Sequence, residues 1–160
     1  MLDPVPISKT GFNKLKEELD RLEKELTVVL RDVAAARELG DLKENGAYIY
    51  GRERQGFLQG QINELKGKIN RSDIVDCTQA PTDHAAFGTV VTLLDLDTNA
   101  KVTYQLLGPD EADLDTRGLS IHSPVGQAIL GHAVGDTVTA ATPRGDRRLE
   151  VVGIARSEFE

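Results

Sequence analysis

A single cysteine, Cys77, stands among the 160 residues, which excludes an internal disulfide and a thiolate zinc cage. Tryptophan is absent and aromatics make up 4%, so stacking on nucleobases is a poor candidate for the main activity. No run of about 18 apolar residues occurs, and no membrane span is expected. The N-terminal MLDPVPISKTGF lacks the basic-then-apolar order of a signal peptide, so the expected location is the cytoplasm. Conventional enzyme signatures are missing too: there is no G-x-S-x-G, Walker A, G-x-G-x-x-G or H-E-x-x-H. Basic residues are outnumbered, 19 Lys/Arg against 26 Asp/Glu, for a net charge of −7. That balance argues against an autonomous DNA- or RNA-binding protein.

What is present describes a folded chain, with 39% hydrophobic and 28% charged residues. The charge is uneven. Residues 1–76 hold 13 Lys/Arg and 14 Asp/Glu, while residues 77–160 hold 6 and 12. This shift predicts two domains, 1–76 and 77–160.

In the first, Leu15, Leu19, Leu22, Leu26, Val29, Val33 and Ala36 recur at alternating spacings of four and three, a heptad seam. Ser8 is positioned to cap this helix and Gly40 to end it, giving an arm from Lys9 to Leu39. A second seam is weak at Tyr48 and clear at Leu58, Ile62, Leu65 and Ile69. Two heptad stretches joined by a short polar connection predict an antiparallel coiled-coil hairpin. Gly46, Gly51, Gly56, Gly60 and Gly67 fall in the second arm, each costing about 1 kcal/mol relative to Ala. Either packing outweighs that cost and glycine allows close approach, or this arm is loosely wound.

The second half reads as β-rich. Residues 89–94 and 101–106 flank turn chemistry at 97–99, and residues 137–142 and 149–154 flank Pro143-Arg144-Gly145-Asp146, predicting two hairpins. Between them, Ser123 as cap, Pro124 at the first position and Gly131 at the end predict a short helix. The fold class is α+β.

Few residues suggest chemistry. His84, His122 and His132 are far apart and read as surface or packing residues, and Cys77 as a small buried side chain. Asp110, Glu111, Asp113 and Asp115 do not follow the EF-hand order and read as a solvated acidic loop. The informative stretch is Ala36-Arg37-Glu38-Leu39-Gly40-Asp41-Leu42-Lys43-Glu44-Asn45. Asp41 and Glu44, three apart, can face one way and offer hard oxygens to Mg²⁺, provided another molecule supplies the remaining ligands. The same Asp-x-x-Glu spacing before a helix is a capping pattern, which spacing alone favours.

That stretch, followed by Tyr48, resembles the hairpin tip of the bacterial Gre transcript cleavage factors. The resemblance continues through Gln55-Gly56-Phe57, Ile74-Val75-Asp76, Phe87-Gly88, Asp110-Glu111-Ala112-Asp113, Ile121-His122-Ser123-Pro124 and Val134-Gly135-Asp136, and spans nearly the whole chain. It implies an N-terminal antiparallel coiled coil followed by a small FKBP-like β-rich domain that docks on RNA polymerase. The coiled coil would enter the secondary channel and stimulate the polymerase's own Mg²⁺-dependent cleavage of backtracked RNA.

On this implication Asp41 and Glu44 are the catalytic acids and metal ligands, sharing Mg²⁺ with the polymerase active site and holding none stably alone. Arg37 and Arg52 match the basic surface that contacts the nascent RNA 3′ segment, with Arg54 and Lys43 adding to that field. Ser123 and Pro124 match the polymerase-docking surface, and the free chain would be a monomer. Tyr48 would pack across the tip or lie beside the metal. A channel-binding inhibitor without cleavage activity would have the same architecture; a prolyl isomerase or chaperone is suggested only by the FKBP-like resemblance, and Phe87 and Tyr104, its main candidates, give no convincing aromatic-lined pocket.

Overall fold

The computed structural model describes residues 4–40, 45–112 and 117–156. In chain order they form β1 (Val5–Ser8), α1 (Lys9–Arg37), α2 (Gly46–Asn70), β2 (Ser72–Val75), a 3₁₀ turn (Cys77–Gln79), β3 (Thr89–Asp95), β4 (Lys101–Leu107), β5 (Gly118–Ser120), α3 (Pro124–Ile129), β6 (Thr137–Thr142) and β7 (Gly145–Arg156). By contacts the chain divides into Asn13–Asn70 and a second unit of Met1–Phe12 with Arg71–Glu160.

The first unit is the two-helix coiled coil that the heptads predict. Leu22, Leu58 and Ile62 are buried between the helices, with Leu19, Leu26, Val29 and Leu65 packed around them. Each such side chain removed from water is worth about 1.5–3 kcal/mol, which sets the seam well above the helix propensity of either arm. Arg54 of α2 pairs with Glu25 of α1, and Gly51 lies against Val33, a pairing order that requires antiparallel helices. Close approach accounts for one of the five glycines: a Cβ on Gly51 would stand 2.7 Å from Val33 Cγ2, whereas Gly46, Gly56, Gly60 and Gly67 face open space.

The second unit is built on a five-stranded mixed sheet in the order β5-β4-β3-β7-β6. Both expected hairpins are present, β3 with β4 and β6 with β7, each antiparallel. The first turns through Asn99 at φ 62°, and the Asp97 N–H, then the Thr98 N–H, hold the Asp95 carboxyl below its ordinary pKa. The second is tighter than expected, since Thr142 already opposes Gly145. Strand β3 alternates buried and half-buried residues, presenting Val91 and Leu93 to a core shared with Leu106, Leu149 and Val151. Val125 and Ile129 of α3 close that core, with Ser123 accepting from the Gly126 N–H and Pro124 in the first turn. Tyr104 packs against it, and Cys77 is fully buried.

Two features escape the sequence patterns. Strand β1 pairs in parallel with β2, from Val5 opposite Ser72 to Ser8 opposite Val75, and β5 pairs in parallel with β4. The β1–β2 pairing joins residues 5–8 to 72–75, and β1–β4 contacts with the Ser8–Glu111 and Arg71–Asp110 bonds tie both segments to the second unit.

The two described acids of the acidic run, Asp110 and Glu111, are not the solvated groups expected. Glu111 is 2% exposed, and its carboxyl accepts from the Ser8 N–H (2.8 Å), the Ser8 hydroxyl (2.5 Å) and the Gly108 N–H (3.3 Å). Ser8 Oγ in turn accepts the Gly11 N–H at 3.0 Å, the cap anticipated for α1. Asp110 forms a two-pronged ion pair with Arg71. Three donors around one carboxyl, and a guanidinium on its neighbour, offset the cost of burying these acids. Asp113 and Asp115 lie outside the described residues.

Candidate functional site

Helix α1 ends at Arg37, two residues short of expectation. The Leu39 N–H bonds the Ala36 carbonyl (3.1 Å) and the Gly40 N–H the Arg37 carbonyl (3.4 Å). Gly40 turns the chain at φ 109°, a conformation that disfavours any side chain. Asp41, Lys43 and Glu44 lie outside the described residues.

Asn45 fills the N-cap position of α2. Its Oδ1 accepts the Tyr48 N–H at 3.1 Å, and its backbone carbonyl accepts the Ile49 N–H at 3.0 Å. Helix α2 begins at Gly46, and the residue next to it supplies the cap oxygen; the alternative capping role of Asp41 falls outside the described residues. Asn45 also reaches back, donating from Nδ2 to the Ala36 carbonyl at 2.6 Å. Sequence reasoning assigned it no role, although Asn immediately before a helix is a strong cap signal.

The Arg37 guanidinium lies over the Tyr48 ring, 5.7 Å from its centroid, a cation–π pair between the last turn of α1 and the first of α2. Tyr48 thus spans the tip end of the hairpin. Arg52 is exposed, with a long contact of 3.4 Å to Gln55 Oε1. Arg54 does not stand as an open basic residue: Glu25 pairs with its guanidinium, which also covers the Phe57 ring at 5.6 Å. The structure therefore brings Arg37, Tyr48 and Asn45 together at one end of the coiled coil, with Arg52 one turn along α2.

In the sheet unit, the Ser123 hydroxyl donates to the Ser120 carbonyl (2.6 Å) while accepting the Gly126 N–H (3.1 Å), and Pro124 is exposed beside it. Among the described residues His84 and His132 contact Asp83 and Asp136, and no group of three or more His, Cys, Asp or Glu could hold a metal ion. Asp41 and Glu44 would bring two hard carboxylates, a donor type that fits Mg²⁺ but leaves most of an octahedral shell to water or another molecule.

The family model for the N-terminal domain of transcription elongation factors GreA/GreB matches residues 5–74, and that for the GreA/GreB C-terminal domain matches residues 80–156. The chain belongs to the GreA/GreB family of transcription elongation factors. It is 46% identical to transcription elongation factor GreA of Desulfotalea psychrophila, over 99% of each chain. It is 45% identical to that of Maridesulfovibrio salexigens, over 96% of each. Among solved structures, GreA factor homolog 1 of Thermus thermophilus is 28% identical, with 94% of this chain and 98% of that one covered and a TM-score of 0.45. No helix among the described residues is long and apolar enough to cross a membrane.

Proposed function

We propose that this elongation factor binds RNA polymerase, places its helical hairpin in the secondary channel and stimulates the polymerase's own hydrolysis of backtracked RNA. It is not itself the nuclease. Family membership supports the partner, and one observation supports a metal role for Asp41 over a capping role: Asn45 already supplies the cap oxygen of α2.

In this reading Asp41 and Glu44 hold, together with the polymerase, a Mg²⁺ ion that the isolated chain does not retain. When bound, the ion supplies charge neutralisation and acidifies a water molecule. Arg37, held over the Tyr48 ring, and the exposed Arg52 attract phosphates of the nascent RNA 3′ segment. Ser123 and Pro124 belong to the docking surface, with the Ser123 hydroxyl fixing the turn that displays Pro124. The factor works in the cytoplasm and is a monomer when free.

The test is RNA length in stalled, backtracked polymerase supplied with Mg²⁺. Wild-type chain shortens the transcript, and Asp41→Ala or Glu44→Ala slows this by roughly 10²-fold, about 2.7 kcal/mol of barrier. Cleavage at the wild-type rate in both variants overturns the mechanism, while slowed polymerase with uncut RNA identifies a channel-binding inhibitor instead.

A further inference from the structure

Strand β6 is an edge of the five-stranded sheet, paired with β7 on one side and, among the described residues, with nothing on the other. The Val151 N–H bonds the Asp136 carbonyl, and the β6–β7 register continues unbroken, so residues 138, 140 and 142 turn their backbone groups to β7. Thr137, Thr139 and Ala141 turn theirs outward, where no described residue meets them. Their side chains are exposed, while Val138 and Ala140 are buried in the core. Edges are ordinarily blunted by shortness, charge, proline or a bulge. The other edge, β5, is three residues long. Strand β6 runs six residues with no charge, proline or register shift, and Pro143 closes it only at the far end.

The end that Pro143 closes is basic. Arg144, Arg147 and Arg148 are half of the 6 Lys/Arg in residues 77–160. Arg144 is exposed and has no ion pair among the described residues. Arg147 is 3.5 Å from Asp95 Oδ2, which leaves most of its N–H groups uncommitted, and Arg148 pairs with Asp97 at 2.7 Å. Asp146 follows the pleat to the face opposite Arg147. Arg144 and Arg147 line an open pocket of about 440 Å³ with Thr142 and Pro143.

We infer that β6 is a docking edge for an extended acidic segment of a partner protein, which adds as a further strand and seats a carboxylate between Arg144 and Arg147. Backbone bonds to Thr137, Thr139 and Ala141 hold the segment, and the guanidinium forks, which match a carboxylate in shape, fix its direction. An antiparallel strand enters beside Thr142, so its acids belong in its N-terminal half. A short segment suits this place better than nucleic acid, because 12 Asp/Glu in residues 77–160 repel an extended polyanion.

The test titrates the full chain with the peptide acetyl-Glu-Glu-Val-Thr-Val-Thr-Val-amide, to about 1 mM, and follows amide exchange by NMR. Exchange at Thr137, Thr139 and Ala141 is expected to slow several-fold, while that at Val138 and Ala140 is unchanged. Thr139→Pro removes one outward N–H and keeps the bonds to β7, so it melts within about 3 °C of wild type and loses the protection. Arg144→Glu, in the exposed turn, weakens binding about tenfold or more, and a peptide with Lys in place of both Glu does not bind. If Thr139→Pro unfolds, Arg144→Glu and the Lys peptide decide alone. No slowing at the three outward amides, or equal binding by Arg144→Glu, overturns the inference. So does tighter binding of a single-stranded RNA than of the peptide. Protection that grows with protein concentration and doubles the mass without peptide names a second copy as the occupant, and overturns it too.

Discussion

Glu111 shows how one side chain can be misread from its neighbours. In sequence it sits among acids, yet it is buried and accepts three hydrogen bonds, two of them from Ser8, 103 residues earlier. Nothing local announces a partner that distant. Its carboxyl also explains Gly11, where a Cβ would fall 1.9 Å from Oε2. Glu111→Ala strands the Ser8 and Gly108 donors in a buried site and is expected to lower stability by about 3 kcal/mol or more. Gly11→Ala destabilises through the clash, despite its better helix propensity. Urea unfolding checks both, and a midpoint equal to wild type for either would contradict the burial described. Asn45 is the opposite case: its cap was within reach of sequence rules, and only its second bond, back to Ala36, needed the fold.

At the scale of elements, periodic signals transferred well and non-periodic ones did not. The heptad leucines, the two β hairpins and the Ser123–Pro124 start of α3 all lie where spacing puts them, because each reports burial through a local repeat. Strands β1, β2 and β5 are three or four residues long, too short for alternation to develop, and the parallel partner of β1 lies far along the chain. The glycines of α2 divide along the same line. Gly56→Ala and Gly60→Ala enter open space and should each stabilise by about 0.5–1 kcal/mol. Gly51→Ala meets Val33, whose branched side chain has little rotamer freedom in a helix, and should destabilise by about 1–2 kcal/mol. Thermal melts of the three variants decide this, and a stabilising Gly51→Ala would show the helices are not held as close as described.

For the whole molecule, the difficulty is electrostatic. On the proposed function a chain of net charge −7 works beside RNA, which repels it. In that reading Arg37 and Arg52 ease the repulsion, and Asp41 and Glu44 make sense only beside a cation. Family membership and the coiled coil were legible in the 36–45 stretch and the heptads. The tip acids themselves lie outside the described residues, so their role rests on the proposed function and not on observed geometry. The most direct measurement is therefore the Mg²⁺ dependence of transcript cleavage in backtracked complexes, with no factor, with wild-type chain and with Asp41→Asn. The account predicts that wild type lowers the Mg²⁺ concentration for half-maximal cleavage and that Asp41→Asn returns it to the factor-free value. An identical Mg²⁺ dependence for wild type and Asp41→Asn would contradict it.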